Sequence, residues 1–164
     1  MSFALSILNN NALVEKQALQ EILKYNDLTA RYGLMLTEQQ AVALVETRTF
    51  ALKENGRIEF GGGVIEKLIY AFCDSPYLTS DHYEETLHNL LEVFYYYKNE
   101  SLDLISDDDL IRFMKQAFDG VCQGSLELLA GRELDGLARN LRNPNDWEDS
   151  DDISQEEEDD DGEY

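Results

Sequence analysis

Ser106-Asp107-Asp108-Asp109-Leu110-Ile111-Arg112-Phe113-Met114-Lys115-Gln116-Ala117-Phe118-Asp119-Gly120 reads as one complete amphipathic helix. Ser106 can cap its first turn, three acids sit where the helix dipole favours negative charge, and Gly120 supplies a C-terminal stop. Between these signals Leu110, Ile111, Phe113, Met114, Ala117 and Phe118 recur three and four apart, so one face is apolar and the other charged. A helix of that kind is stable when its apolar face meets another, and the chain on both sides repeats the pattern.

Working outward, Ser125 opens a last helix carrying Leu126, Leu129, Ala130, Leu134, Leu137 and Leu141, which must stop at Asn143-Pro144 because the residue before proline avoids helical dihedrals. Upstream, Ser80 starts the longest helix, with Tyr83, Leu87, Leu90, Leu91 and Phe94 on one face and an end near Asn99. Val64, Ile65, Leu68, Ile69 and Phe72 form another stripe, ended by Asp74-Ser75-Pro76. Thr37 and Gln40 make a capping box ahead of Ala41, Leu44, Val45 and Leu52. Asn55-Gly56 then closes that helix at a left-handed position; the unbroken helical pattern upstream favours this over a hairpin between Phe50-Leu52 and Ile58-Phe60. Asn11 can cap a first helix carrying Leu19, Ile22 and Leu23, kinked around Asn26-Asp27 and ended by Gly33. The expectation is an all-α protein: a single globular domain of six or seven amphipathic helices over residues 1–143, followed by a disordered acidic C-terminal tail over residues 144–164.

Charge sets that tail apart. The 164 residues hold 34 acids and 13 bases, a net charge of −21. From Asp146 to Tyr164 there are 12 acids and no base, leaving 22 acids against 13 bases, a net −9, in residues 1–145. A block of like charge repels itself and buries almost nothing. The same balance argues against direct nucleic-acid binding and against an anionic membrane surface. The apolar start, Phe3 to Leu8, is too short and uncharged for a signal peptide, and no apolar run reaches the ~20 residues that span a bilayer, so a cytoplasmic location is expected. Cys73 and Cys122 form no C-x-x-C and read as reduced, inert thiols.

The most unusual segment is Arg57-Ile58-Glu59-Phe60-Gly61-Gly62-Gly63-Val64-Ile65-Glu66-Lys67, where three glycines lead into a helix. Free backbone N–H groups at a helix N-terminus, with Arg57 or Lys67 assisting and Glu59 and Glu66 nearby, could cradle a small anion. The other reading is a tight turn that requires positive φ. The segment is no P-loop, since Lys67 is not followed by Ser or Thr. Phe94-Tyr95-Tyr96-Tyr97 places aromatics around much of a helix, so at least one of Tyr95, Tyr96 and Tyr97 should face away from the core, either as at an interface centre or at the rim of the core, where tyrosine tolerates partial exposure.

Other constellations are weaker. Glu85 and His88 have the E-x-x-H spacing of a di-iron helix, but no second such pair exists, and a half-exposed helix position accounts for His88. Asp107, Asp108 and Asp109 fit the helix dipole without a metal. In the tail, Asp146, Glu148, Ser150, Asp152 and Glu157 imitate EF-hand ligands, while Asp151 stands where glycine is needed. Trp147 among acids could form a short docking motif. Arg132 and Arg139 share a helix face, with Asp135 as a ready partner.

The stretches RIEFGGGVIEKLIYAFCDSPYL (Arg57 to Leu78) and AFDGVCQGSLELLAGREL (Ala117 to Leu134) resemble a small bacterial family known only as a domain of unknown function. The resemblance covers most of residues 30–135. It implies a bacterial, cytoplasmic protein and brings no activity, cofactor or catalytic residue.

No nucleophile–base pair, metal set or cofactor fingerprint is legible, so the first expectation is a non-enzymatic helical protein that binds a macromolecular partner, most simply another protein, with the tail steering encounter. The second is a small-anion or enzyme site around Gly61, Gly62 and Gly63 with Arg57, Glu59 and Glu66. The third is an acidic mimic that occupies a basic nucleic-acid-binding partner.

Overall fold

The first kink has a specific cause. In the computed structural model of the chain, which describes residues 15–144, helix α1 (residues 15–24) buries Ala18 and Ile22 and breaks at Tyr25. A short helix α2 (Asn26–Thr29) follows and tightens into a 3-10 turn, Ala30–Tyr32, closed by Gly33 at φ 74°. The Asn26 side chain explains the break. Its Nδ2 donates to the Leu36 carbonyl and its Oδ1 accepts from the Leu36 N–H, both at 2.9 Å, pinning the incoming loop.

Helix α3 (Glu38–Glu54) starts at the expected capping box, with Thr37 accepting from the Gln40 N–H and Gln40 from the Thr37 N–H. It ends at Asn55, and Gly56 takes a left-handed φ of 62°. No strand occurs among the described residues, which removes the hairpin alternative. Helix α4 (Gly63–Phe72) buries all five residues of its stripe. The next helix departs from expectation at its start: Ser80–His82 is a 3-10 turn without a side-chain cap, and helix α5 (Tyr83–Glu100) begins after it. Helix α6 (Asp107–Asp119) has Ser106 as its cap, accepting from the Asp109 N–H.

The last helix differs in pitch. Ser125 caps helix α7 (Leu126–Leu128), which runs through a π-helical turn, Leu129–Leu134, into helix α8 (Asp135–Arg142). An α-helix would set Leu129 and Leu134, five apart, on different faces; the wider π-turn brings both inward, and each is fully buried. Widening loosens the carbonyl ladder, and the Tyr97 hydroxyl donates to the Ala130 carbonyl at 2.5 Å. Leu137 and Leu141 are consequently only half-buried, and Ala138 takes the inward position.

Cross-links fix the helix directions. Thr47 meets His88 at 3.0 Å and Arg57 meets Asn99 at 2.7 Å, so α3 and α5 run side by side in the same direction. Lys67 meets Asp108 at 2.8 Å and Lys115 meets Asp74 at 2.6 Å, so α4 and α6 do the same. The two parallel pairs pack together, with α5 in contact with α3, α4, α6 and α8. One core joins them, with Phe72, Phe94 and Phe118 among its fully buried residues and the Phe72 and Phe118 rings edge-on at 5.5 Å. The tail beyond Pro144, Asn11 and Phe3 to Leu8 lie outside the described residues.

Burial this uneven predicts contrasting truncations. Leu90→Ala, at a fully buried site on α5, should lower unfolding free energy by about 3 kcal/mol in urea titrations. Ile58→Ala, at a site 80% exposed, should change it by less than ~0.5 kcal/mol.

Candidate functional site

Ala41, Leu44, Val45 and Leu52 form the inward stripe of α3, and Arg48 occupies the position on that stripe where another apolar residue would fit. Only 3% of Arg48 is exposed. A buried guanidinium is several kcal/mol unfavourable unless it is paired. Its Nη1 donates to the Gly61 carbonyl at 2.7 Å and lies 3.9 Å from Glu59 Oε1. Its Nε is buried without a partner among the described residues. Glu59 also accepts from the Val64 N–H at 3.0 Å and from the Tyr95 hydroxyl. Burial, then the Glu59 charge, pushes the Tyr95 hydroxyl well above its ordinary titration range, so it stays a donor.

The glycines close around this clasp. Gly61 and Gly63 have φ of 63° and 51°, the left-handed region where a side chain is strained. Glu21 of α1 accepts from the Gly62 N–H at 2.7 Å. Two carboxylates of the chain itself, Glu21 and Glu59, thus stand where an outside anion would meet the first amides of α4. A Cβ on Gly61 would collide with Glu21, and one on Gly63 with Glu59 and Arg48. Glu66 lies over Gly62, and burial, reinforced by Glu21, raises its carboxyl above the usual carboxylate range.

The cations expected at this turn are elsewhere. Arg57 donates to Asn99 and Asp103, and Lys67 pairs with Asp108. The structure therefore brings Glu59, Gly61, Gly62, Gly63 and Glu66 together with Glu21, Arg48 and Tyr95, and leaves Arg57 and Lys67 out. Arg48 had a legible signal, a charge on an apolar stripe. Glu21, some forty residues from the turn, had none.

The tyrosines divide. Tyr95 and Tyr97 are buried, whereas Tyr96 is 57% exposed. Tyr96 and the 65% exposed Phe50 line one groove of about 560 Å³ between α3 and α5. Glu46 and Glu54 of α3 and Glu92 of α5 line it too. All three glutamates are exposed, and among the described residues none has a cation within 4 Å.

The remaining constellations resolve into local pairs. Glu85 faces His82 at 3.4 Å, while His88 meets Thr47 and, at 3.6 Å, Glu84, so Glu85 and His88 do not act together. Asp107, Asp108 and Asp109 pair with Lys98, Lys67 and Arg112. Arg132 and Arg139 pair with Glu133 and Asp135. Cys73 and Cys122 are free, buried thiols whose pKa burial raises. Among the described residues no helix is long and apolar enough to cross a membrane, and no group of three metal-ligating side chains is gathered. Trp147 and the EF-hand-like acids lie outside the described residues.

A family model described as "Family of unknown function (DUF6323)" matches residues 21–147. The chain belongs to this family. The match runs from Glu21 of the glycine turn to beyond α8, wider on both sides than the resemblance carried by the two quoted stretches. No curated protein and no solved structure matches the chain. The DUF6323 match thus encloses both the clasp around Arg48 and the groove between α3 and α5.

Two predictions test the clasp. Gly63→Ala, which adds a Cβ at positive φ against Glu59 and Arg48, should destabilise the fold by about 2 kcal/mol in chemical denaturation. The second is alkaline. Burial lifts the Tyr83 hydroxyl from 10.0 to about 12, and that hydroxyl is buried beside Thr29 with no hydrogen-bond partner among the described residues. A raised folded pKa gives stability that is intact below pH 10 and declines as pH rises from 10 to about 12. Unfolding free energy from urea titrations should fall across that window, by on the order of 1 kcal/mol per pH unit for this group. Tyr83→Phe should fold normally at pH 7 and flatten the decline.

Proposed function

We propose that this DUF6323 protein is a non-enzymatic helical module that binds another protein through the groove between α3 and α5. The observation that supports the reading is the pairing of two large exposed aromatics, Phe50 at 65% and Tyr96 at 57%, on facing walls of one groove. Large aromatics shared by a concave surface are what interface centres are made of, because they contribute area at little conformational cost. Isolated exposed apolar residues need no such account, but these two are neighbours across a groove.

The glycine turn gives less support to a small-anion site. An incoming phosphate or carboxylate would have to displace Glu21 or Glu59 from the N–H groups they already hold, next to a third carboxylate, Glu66. Arg57 and Lys67, the cations such a site would use, are engaged elsewhere.

Photo-crosslinking in cells tests the docking reading. A benzophenone amino acid in place of Phe50 or of Tyr96 should give an adduct with one and the same partner, and the same replacement at the exposed Asp81 should not. Absence of an adduct from both groove positions, or equal adducts from all three, would remove the proposal.

A further inference from the structure

The groove has a pattern along its length as well as a composition. Thr47 meets His88, so counting along the parallel helices from that cross-link places Phe50 within one residue of the level of Glu92 and Glu54 within one residue of the level of Tyr96, an offset of about 1.5 Å. Each level of the groove thus carries one aromatic ring and one carboxylate, on opposite walls, and the two levels are four residues apart. Four residues of helix rise about 6 Å. Among the described residues no basic side chain lines the groove; Glu46 adds a third carboxylate, and Thr47, Ala51, Asn55, Tyr95 and Asn99 complete it without charge.

A ring face beside an unpaired carboxylate is a site for a cation, which gains from the ring quadrupole and from the opposite charge together. Two such sites about 6 Å apart match side chains at positions i and i+4 of a helix. We propose that the occupant of this groove is a helical segment of a partner protein bearing two cationic side chains, arginine above all, four residues apart. The assignment rests on the docking reading and adds the chemistry of the partner.

Charge excludes other occupants. A second copy docked groove to groove would set Glu46, Glu54 and Glu92 against the same three acids, and the chain's own segment Asp146 to Tyr164 carries 12 acids and no base. Nucleic acids and anionic membranes fail for the same reason.

The test uses full-length protein, at physiological salt to screen attraction to distant acids, and three labelled alanine-based helical peptides. One carries two arginines at i and i+4, the second has the same composition with the arginines at i and i+2, and the third has glutamates in place of arginines. Fluorescence anisotropy should show the i, i+4 peptide binding about tenfold tighter than the i, i+2 peptide, with no binding of the third. Glu54 and Glu92 are exposed, so the variant Glu54→Gln/Glu92→Gln keeps the fold; it should lose that tenfold advantage. Glu157→Gln/Glu158→Gln, which removes the same charge elsewhere, should bind within about twofold of the parent. Equal binding of the two arginine peptides, binding of the glutamate peptide, or an equal loss in the Glu157/Glu158 variant would overturn the proposal. Its failure is separable from failure of docking. A crosslinked partner whose contacting segment lacks the cation pair would leave the docking site standing and sink this assignment, whereas absence of any cellular adduct would remove the docking reading and this assignment with it.

Discussion

A positive charge buried in the middle of α3 constrains everything around it. Arg48 cannot reach water, so the chain must bring acceptors to it, and it does so with the Gly61 carbonyl and the Glu59 carboxylate. Glu59 is shared: it also holds the first amide after the glycines and the Tyr95 hydroxyl of α5. One guanidinium thereby ties α3, the loop, the start of α4 and the middle of α5 to a common point. Well-packed apolar residues often replace a buried ion pair at no loss of stability. The consequence of the clasp is therefore positional, fixing how far α3 stands from α5 and at what register. The close approach of backbone to carboxylates at that point is what demands Gly61 and Gly63.

The exposed aromatic surface follows from the same constraint. With Tyr95 turned inward to Glu59, and Phe94, Tyr97 and Lys98 also buried, the 100° step of the helix sends Tyr96 outward. Tyr97 has its own reason to be inside, because its hydroxyl satisfies the Ala130 carbonyl in the π-turn of the last helix. Phe50, two residues beyond Arg48 on α3, is rotated about 200° from it. It therefore lies on the face opposite the clasp, where the groove opens.

Much of this was legible in the residues. Capping by Thr37, Ser106 and Ser125, the stops at Gly33 and Gly56, and the buried stripes of α3, α4, α5 and α6 all follow from side-chain spacing and local hydrogen-bonding chemistry. What escaped depends on contacts between distant positions. Ser80 looks like a cap, yet the chain needs a 3-10 turn there before Tyr83 can point into the core. The five-residue gap between Leu129 and Leu134 was visible, but an α-helical template reads it as noise, while the structure uses it as a π-turn. At the glycines the residue types were read correctly and their partners were not. Arg57 turns to Asn99 of α5 and to Asp103 beyond it, Lys67 to Asp108 of α6, and Glu21, from another helix, takes the amide that a ligand would have used.

The distribution of cations gives the groove its character. Of 13 lysines and arginines, nine are held in ion pairs among the described residues: Arg48, Arg57, Lys67, Lys98, Arg112, Lys115, Arg132, Arg139 and Arg142. Several of these pairs cross between helices, Lys67 to Asp108, Lys115 to Asp74 and Arg142 to Glu100, so the scarce positive charge is used where helices must be joined. In a chain with 34 acids, carboxylates must then be left over somewhere. On an open convex surface an unpaired glutamate is simply solvated and carries no information. Between two helices, beside Phe50 and Tyr96, water has less room, and the carboxylates' field is concentrated on whatever enters. The groove therefore sets exposed apolar area beside a single sign of charge, the combination on which the proposed docking rests.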